Sequence, residues 1–163
     1  MKKIKYAVAA AAAVMCASLV APGIASASPD AAVMCNTDAA GLELCAQASG
    51  SHINMVAPNK ASSTFFVPTT DTGTAQIRLS GTDNCLTQEN GDTPNIVLDK
   101  CQGLARQEWF PRFIPGETFS TYSYQNQYTS DCLNDDYFQK YIDAATCNDG
   151  TDELMWFPMF PEM

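Results

Sequence analysis

The chain has 163 residues, with 18 acidic and 9 basic side chains and a formal charge of −9. That length holds one ordinary domain and excludes a large two-domain enzyme. The acidity excludes a nucleic-acid binder, which needs basic surface against phosphates, and a hydrophobic content of 46% excludes a disordered chain.

Residues 1–27 read as a secretory signal peptide. Lys2, Lys3 and Lys5 give a positive start, and an apolar run follows from Ala7 to Val20 with Ser18 its one polar member. Pro22 and Gly23 break the run, and Ala25-Ser26-Ala27 is a small-residue cleavage pattern. The run is shorter than the ~20 residues a membrane span needs, and no later segment is long or apolar enough, so no span is expected. Cleavage after Ala27 leaves residues 28–163, with six basic side chains against the same 18 acids and a charge of −12. It also discards Cys16, leaving Cys35, Cys45, Cys85, Cys101, Cys132 and Cys147. An even set of cysteines in an exported chain reads as disulfides, with the connectivity open. There is no Cys-x-x-Cys pair and His52 is the single histidine, so zinc is disfavoured.

Beyond the signal the local pattern is β. Leu42 and Leu44 flank Glu43; Ala75, Ile77 and Leu79 alternate with Gln76 and Arg78; Tyr122 and Tyr124 flank Ser123. A period of two marks half-buried strands. Ser49-Gly50, Asn90-Gly91, Pro115-Gly116 and Asp149-Gly150 mark turns between them. Tyr122 and Tyr124, with Phe119 and Tyr128 nearby, fit two readings: an exposed binding face or a buried strand.

The chain also repeats itself. Trp109-Phe110-Pro111-Arg112-Phe113 returns 47 residues later as Trp156-Phe157-Pro158-Met159-Phe160, and Cys85 and Cys132 have the same separation. Cys101 and Cys147 follow after 16 and 15 residues. A fainter copy precedes these: Cys45 stands in the place of Cys85, Ile53-Asn54-Met55-Val56 echoes Ile96-Val97-Leu98, and Phe65 stands near the tryptophan position. Three strand-rich units (about 32–70, 71–114 and 115–160) predict a single all-β domain closed into a barrel with pseudo-threefold symmetry. The repeat register pairs Cys85 with Cys101 and Cys132 with Cys147, and leaves Cys35 to close on Cys45.

Cys85-Leu86, Ile96 to Gly103 and Gln107-Glu108-Trp109 together resemble the ricin B-type lectin repeat, which ends in Gln-x-Trp. The resemblance implies a β-trefoil. It covers almost all of residues 28–163 and is sharpest in the second unit. Leu154 and Ser63 stand at the motif glutamine position of the other two units. Trp109, Trp156 and Phe65 are expected in the core, with Gln107 tying a turn. The family's sugar sites imply an Asp two residues after the first cysteine, an aromatic platform, and an amide near the end of the repeat. Such groups fix hydroxyls and cover the apolar face of a sugar ring. Thr87, Asp99, Arg106 and Gln47 depart from that pattern. The third unit fits best. Asn134 takes the Asp position, followed by Asp135 and Asp136; Tyr137, Phe138 and Tyr141 offer rings; Asn148, Asp149 and Asp152 offer polar groups.

The resulting expectation is a secreted, disulfide-stapled lectin that binds a glycan or glycoconjugate through Asn134, Asp135, Tyr137, Tyr141, Asn148 and Asp149. The alternative is a protein-binding trefoil (toxin accessory subunit, inhibitor or adhesin) whose charge favours a basic partner. Catalysis, cofactor and metal are not expected. A hydrolase triad would depend on His52, no Gly-x-Ser-x-Gly is present, and Asp135, Asp136 and Asp149 lack EF-hand spacing.

Overall fold

Alternating segments become strands where every second side chain finds an apolar partner. The computed structural model describes residues 31–37, 41–70, 73–89, 95–115, 120–136, 141–147 and 155–159. The expected signal segment lies outside them. In chain order the strands are β1 (Ala31–Thr37), β2 (Glu43–Ser49), β3 (His52–Val56), β4 (Phe65–Phe66), β5 (Ala75–Gln76), β6 (Arg78–Leu79) and β7 (Asn84–Gln88). There follow β8 (Ile96–Lys100), β9 (Glu108–Ile114), β10 (Thr121–Asn126), β11 (Asp131–Asp136), β12 (Tyr141–Thr146) and β13 (Trp156–Met159). Two 3-10 turns, Pro58–Lys60 and Ala105–Gln107, are the only helical pieces among the described residues.

Seven of these segments form a closed ring. β1 pairs with β4 and β4 with β6. β5 pairs with β9, β9 with β10, β10 with β13, and β13 with β1. β5 and β6 are halves of the alternating stretch expected as one strand. Ile77 parts them: it is fully buried, and its carbonyl accepts the N–H of Leu86 at 2.9 Å. Leu42 also departs from expectation. It precedes the start of β2 and is 48% exposed, so the buried face of that strand begins further on.

Three hairpins grow from the ring. β2 pairs with β1 and β3, β7 with β6 and β8, and β11 with β10 and β12. The first turns on Gly50, whose φ of 62° lies where glycine is favoured, with Ser49 opposite His52. The second strands of the hairpins converge. Tyr141 is in register with Asn54, Asn95 bridges to Asp143, and the Leu98 N–H donates to the Ser51 carbonyl at 2.8 Å.

Phe65, Trp109 and Trp156 are fully buried in one core with Ile77, Leu86 and Leu133. A buried indole N–H needs an acceptor. Trp109 donates to the Leu86 carbonyl at 3.1 Å and Trp156 to the Leu133 carbonyl at 2.9 Å, each reaching 23 residues back. Residues 47 positions apart therefore build the same local bond twice. Phe65 has no N–H and fills its place with ring alone.

Disulfides join Cys35 to Cys45, Cys85 to Cys101 and Cys132 to Cys147, the three pairs that the repeat register gives. They close separations of 10, 16 and 15 residues. Loops of this size contribute about 2–4 kcal/mol each, chiefly by restricting the unfolded chain. Three such bonds fit an oxidising environment. Among the described residues no helix is long and apolar enough to cross a membrane.

Of the two readings of the tyrosine pair, the buried one is found. Tyr122 and Tyr124 stack at 6.2 Å between ring centroids inside the core, while Tyr128 is exposed and Phe119 lies outside the described residues. The Tyr124 hydroxyl has no hydrogen-bond partner among the described residues. Burial first, and then the neighbouring Tyr122, push its pKa far above the ordinary 10.0. The unfolded chain releases this proton near its ordinary value and the folded chain resists, so stability is lost as pH rises past that point. Tyr124→Phe is expected to leave stability at pH 7 unchanged or raised by up to about 1 kcal/mol. Urea melts at pH 7 and at about pH 11 should show a smaller alkaline loss in the variant than in the parent; an equal loss would contradict the assignment.

Candidate functional site

In each hairpin the residue two after the first cysteine shares that cysteine's face of the strand, and the next residue points the other way. These positions hold Gln47, Thr87 and Asn134. Two of them are consumed by the fold. The Gln47 Oε1 accepts the N–H groups of Ser62 at 2.7 Å and Ser63 at 3.2 Å, and the Ser63 hydroxyl accepts the N–H of Ala48 at 2.9 Å. Thr87 is buried; its hydroxyl donates to the Cys85 carbonyl at 3.1 Å and accepts from Gln107 Nε2 at 3.0 Å.

Gln107 itself is fully buried. Its Oε1 accepts the N–H of Gln102 at 2.7 Å, and its Nε2 also donates to the Lys100 carbonyl at 2.8 Å. The glutamine of the Gln-x-Trp motif is thus a tie holding the turn after Cys101. Two further departures in this unit meet each other, since Arg106 pairs with Asp99 at 3.7 Å.

Asn134 is different. Half-buried on β11, it donates from Nδ2 to Asp143 Oδ1 on β12 at 2.7 Å. Its Oδ1 has no bond among the described residues. The register sets Asn134 opposite Asp143 and Asp136 opposite Tyr141, so Asn134, Asp143 and Tyr141 lie on the outer face of one hairpin. Asp135 does not join them. It faces Ile142 on the inner side with Leu133 and Ala144 and is only 2% exposed. Adjacent strand residues point to opposite faces, so Asn134 and Asp135 do not share a ligand on this side. Tyr137, Asn148 and Asp149, with Phe138 and Asp152, lie outside the described residues.

Asp143 was absent from the sequence-derived set. Its signal was the hairpin itself: a strand pair around Asn134 brings a residue nine positions on directly opposite. Tyr141 also borders a cavity of about 340 Å³ shared by β3, β8 and β12.

No protein-family model and no curated protein matches the sequence. Solved structures do. A GlcNAcα1-4Gal-releasing endo-β-galactosidase from Clostridium perfringens aligns with a TM-score of 0.64 at 10% identity, over 82% of this chain and 33% of that enzyme. The designed threefold-symmetric protein ThreeFoil aligns with a TM-score of 0.63 at 12% identity, over 79% of this chain and 98% of the design. The fold is of the β-trefoil kind. The hemolytic lectin CEL-III aligns with a TM-score of 0.58 at 12% identity, over 80% of this chain and 32% of the lectin. This chain therefore spans about a third of the endo-β-galactosidase and of CEL-III. At such identities the likeness is one of fold.

Gln107→Ala strips bonds from a buried carbonyl and a turn N–H while opening a cavity. It is expected to cost about 2–4 kcal/mol in urea unfolding. Asn134→Ala, which loses one half-exposed bond, is expected to cost under about 1 kcal/mol by the same measurement. Equal costs would contradict the division between fold and site.

Proposed function

We propose that residues 28–163 form one secreted β-trefoil domain that binds carbohydrate without catalysis, through the outer face of its third hairpin. The observation that carries this reading is the contrast among the three equivalent positions. Gln47 and Thr87 are tied into the fold, while the Asn134 amide is held by a side-chain carboxylate and turned outward. Asn134 and Asp143 supply an amide and a carboxylate for sugar hydroxyls, and the Tyr141 ring supplies a face for the C–H patch of a pyranose. Tyr137, Asn148 and Asp149 remain proposed members of the site. The likeness to CEL-III, a hemolytic lectin, and to the endo-β-galactosidase is in keeping with a glycan as ligand.

A glycan array probed with the exported protein tests the reading. At least one glycan should bind, and Asp143→Ala should weaken it about tenfold or more, equivalent to ~1.4 kcal/mol, while the variant stays folded by its melting curve. An array without any ligand sinks the lectin reading and leaves salt-sensitive capture of a basic protein as the function to pursue.

Export is tested separately. N-terminal sequencing of protein collected from the medium should begin at Ser28, following cleavage after Ala27. Protein that begins at Met1 and stays with the cells would overturn it.

A further inference from the structure

The converging hairpins set equivalent residues around a common centre. Ile53 of β3, Ile96 of β8 and Ile142 of β12 each have under 5% of their surface exposed, and all three line the cavity of about 340 Å³. The residue preceding each isoleucine also lines it: His52, Asn95 and Tyr141. Three units therefore contribute one aliphatic side chain to the floor and one polar or aromatic side chain to the rim. Glu89 completes the rim. Asn95 Nδ2 donates to its Oε2 at 3.3 Å, and the Asn95 carbonyl accepts the Glu89 N–H at 3.0 Å, so the carboxylate is anchored beside the mouth.

This chemistry differs from that of the Asn134 face. Three isoleucines offer nothing to a hydroxyl, and burying one there without a partner is costly. A simple sugar, whose hydroxyls surround its C–H patch, is therefore a poor guest. An anion meets Glu89 and the strongly negative chain. A bare hydrocarbon leaves the carboxylate unused. What fits is an apolar body with a positive end: the body on the isoleucines, the charge at the rim between Glu89 and the Tyr141 ring, since aromatic faces and carboxylates both attract ammonium groups. The volume corresponds to roughly ten waters at their share of the liquid, and sits at the small end of ligand pockets.

We infer that this central cavity is a second site, adjoining the proposed sugar face at Tyr141, and that it binds a small organic ammonium with an apolar ring or chain. All three units supply its walls, so it exists only when the hairpins have come together.

The test is a titration of the folded, oxidised protein with benzylammonium and with benzyl alcohol, its neutral counterpart, followed by NMR at the isoleucine methyl groups. Benzylammonium should shift the Ile53, Ile96 and Ile142 methyls together and bind at least about tenfold more tightly than the alcohol. Glu89→Gln keeps the shape and the Asn95 contact while removing the charge, and should erase that preference. His52→Trp, at an exposed position on the rim, should weaken both probes. Absence of shifts at the three isoleucines, equal affinity of the parent for both probes, or an unchanged preference in Glu89→Gln would each overturn the inference. Glycan binding by Glu89→Gln should match the parent, which separates the two sites.

Discussion

A curved sheet with two bare edges exposes unpaired backbone along both, and the protein removes that hazard by closing the sheet on itself. β13 makes the closure. It runs beside β1 with Cys35 opposite Phe157, and beside β10 with Tyr122 opposite Trp156. The same short strand delivers Trp156 to the central core and Phe157 to the Cys35–Cys45 disulfide. Everything else hangs from this ring: the hairpins start from its strands, and their convergence depends on its circumference being complete.

Within that frame the equivalent positions after the first cysteine are used in different ways. In two units they tie the strand to the segment that closes the unit. The second unit reaches from the closing segment with Gln107 and meets Thr87. The first reaches in the opposite direction, from Gln47 on the strand to Ser62 and Ser63 in the closing segment. The third uses neither, and its strand residue Asn134 turns instead to Asp143 on the neighbouring strand. The structural glutamine of the second unit thus meets a hydroxyl of its own unit, where the first unit uses a serine pair.

Much of this was legible in the sequence because it is local or repeated. Two disulfides follow from cysteines at matching spacings and the third from the pair left over, and the buried tryptophans from a segment that recurs with one change. The turn-tying role of Gln107 was expected from the motif it shares with Trp109. What failed was orientation within a strand. Asp135 looked like one more acid in a polar run, yet alternation from the core residue Leu133 puts it on the inner face. Asp143 was overlooked because it gains its place only through pairing with Asn134. The central cavity was further from view. Ile53 and Ile96 were visible as an echo between copies, but their meeting with Ile142 requires three hairpins brought together from distant parts of the chain.

The position of β13 also fixes an order of events. A chain made from its N-terminus exposes β1 long before β13, and the thioether of Met159 finally rests 3.4 Å from the Cys35 sulfur, 124 residues away. Until that last described strand emerges the ring stays open, however well the earlier units are formed. The disulfides, by contrast, each lie within one unit and span at most 16 residues. Crosslinking can therefore keep pace with emergence of the chain while barrel closure waits, which leaves the growing polypeptide as a string of stapled hairpins rather than a finished domain.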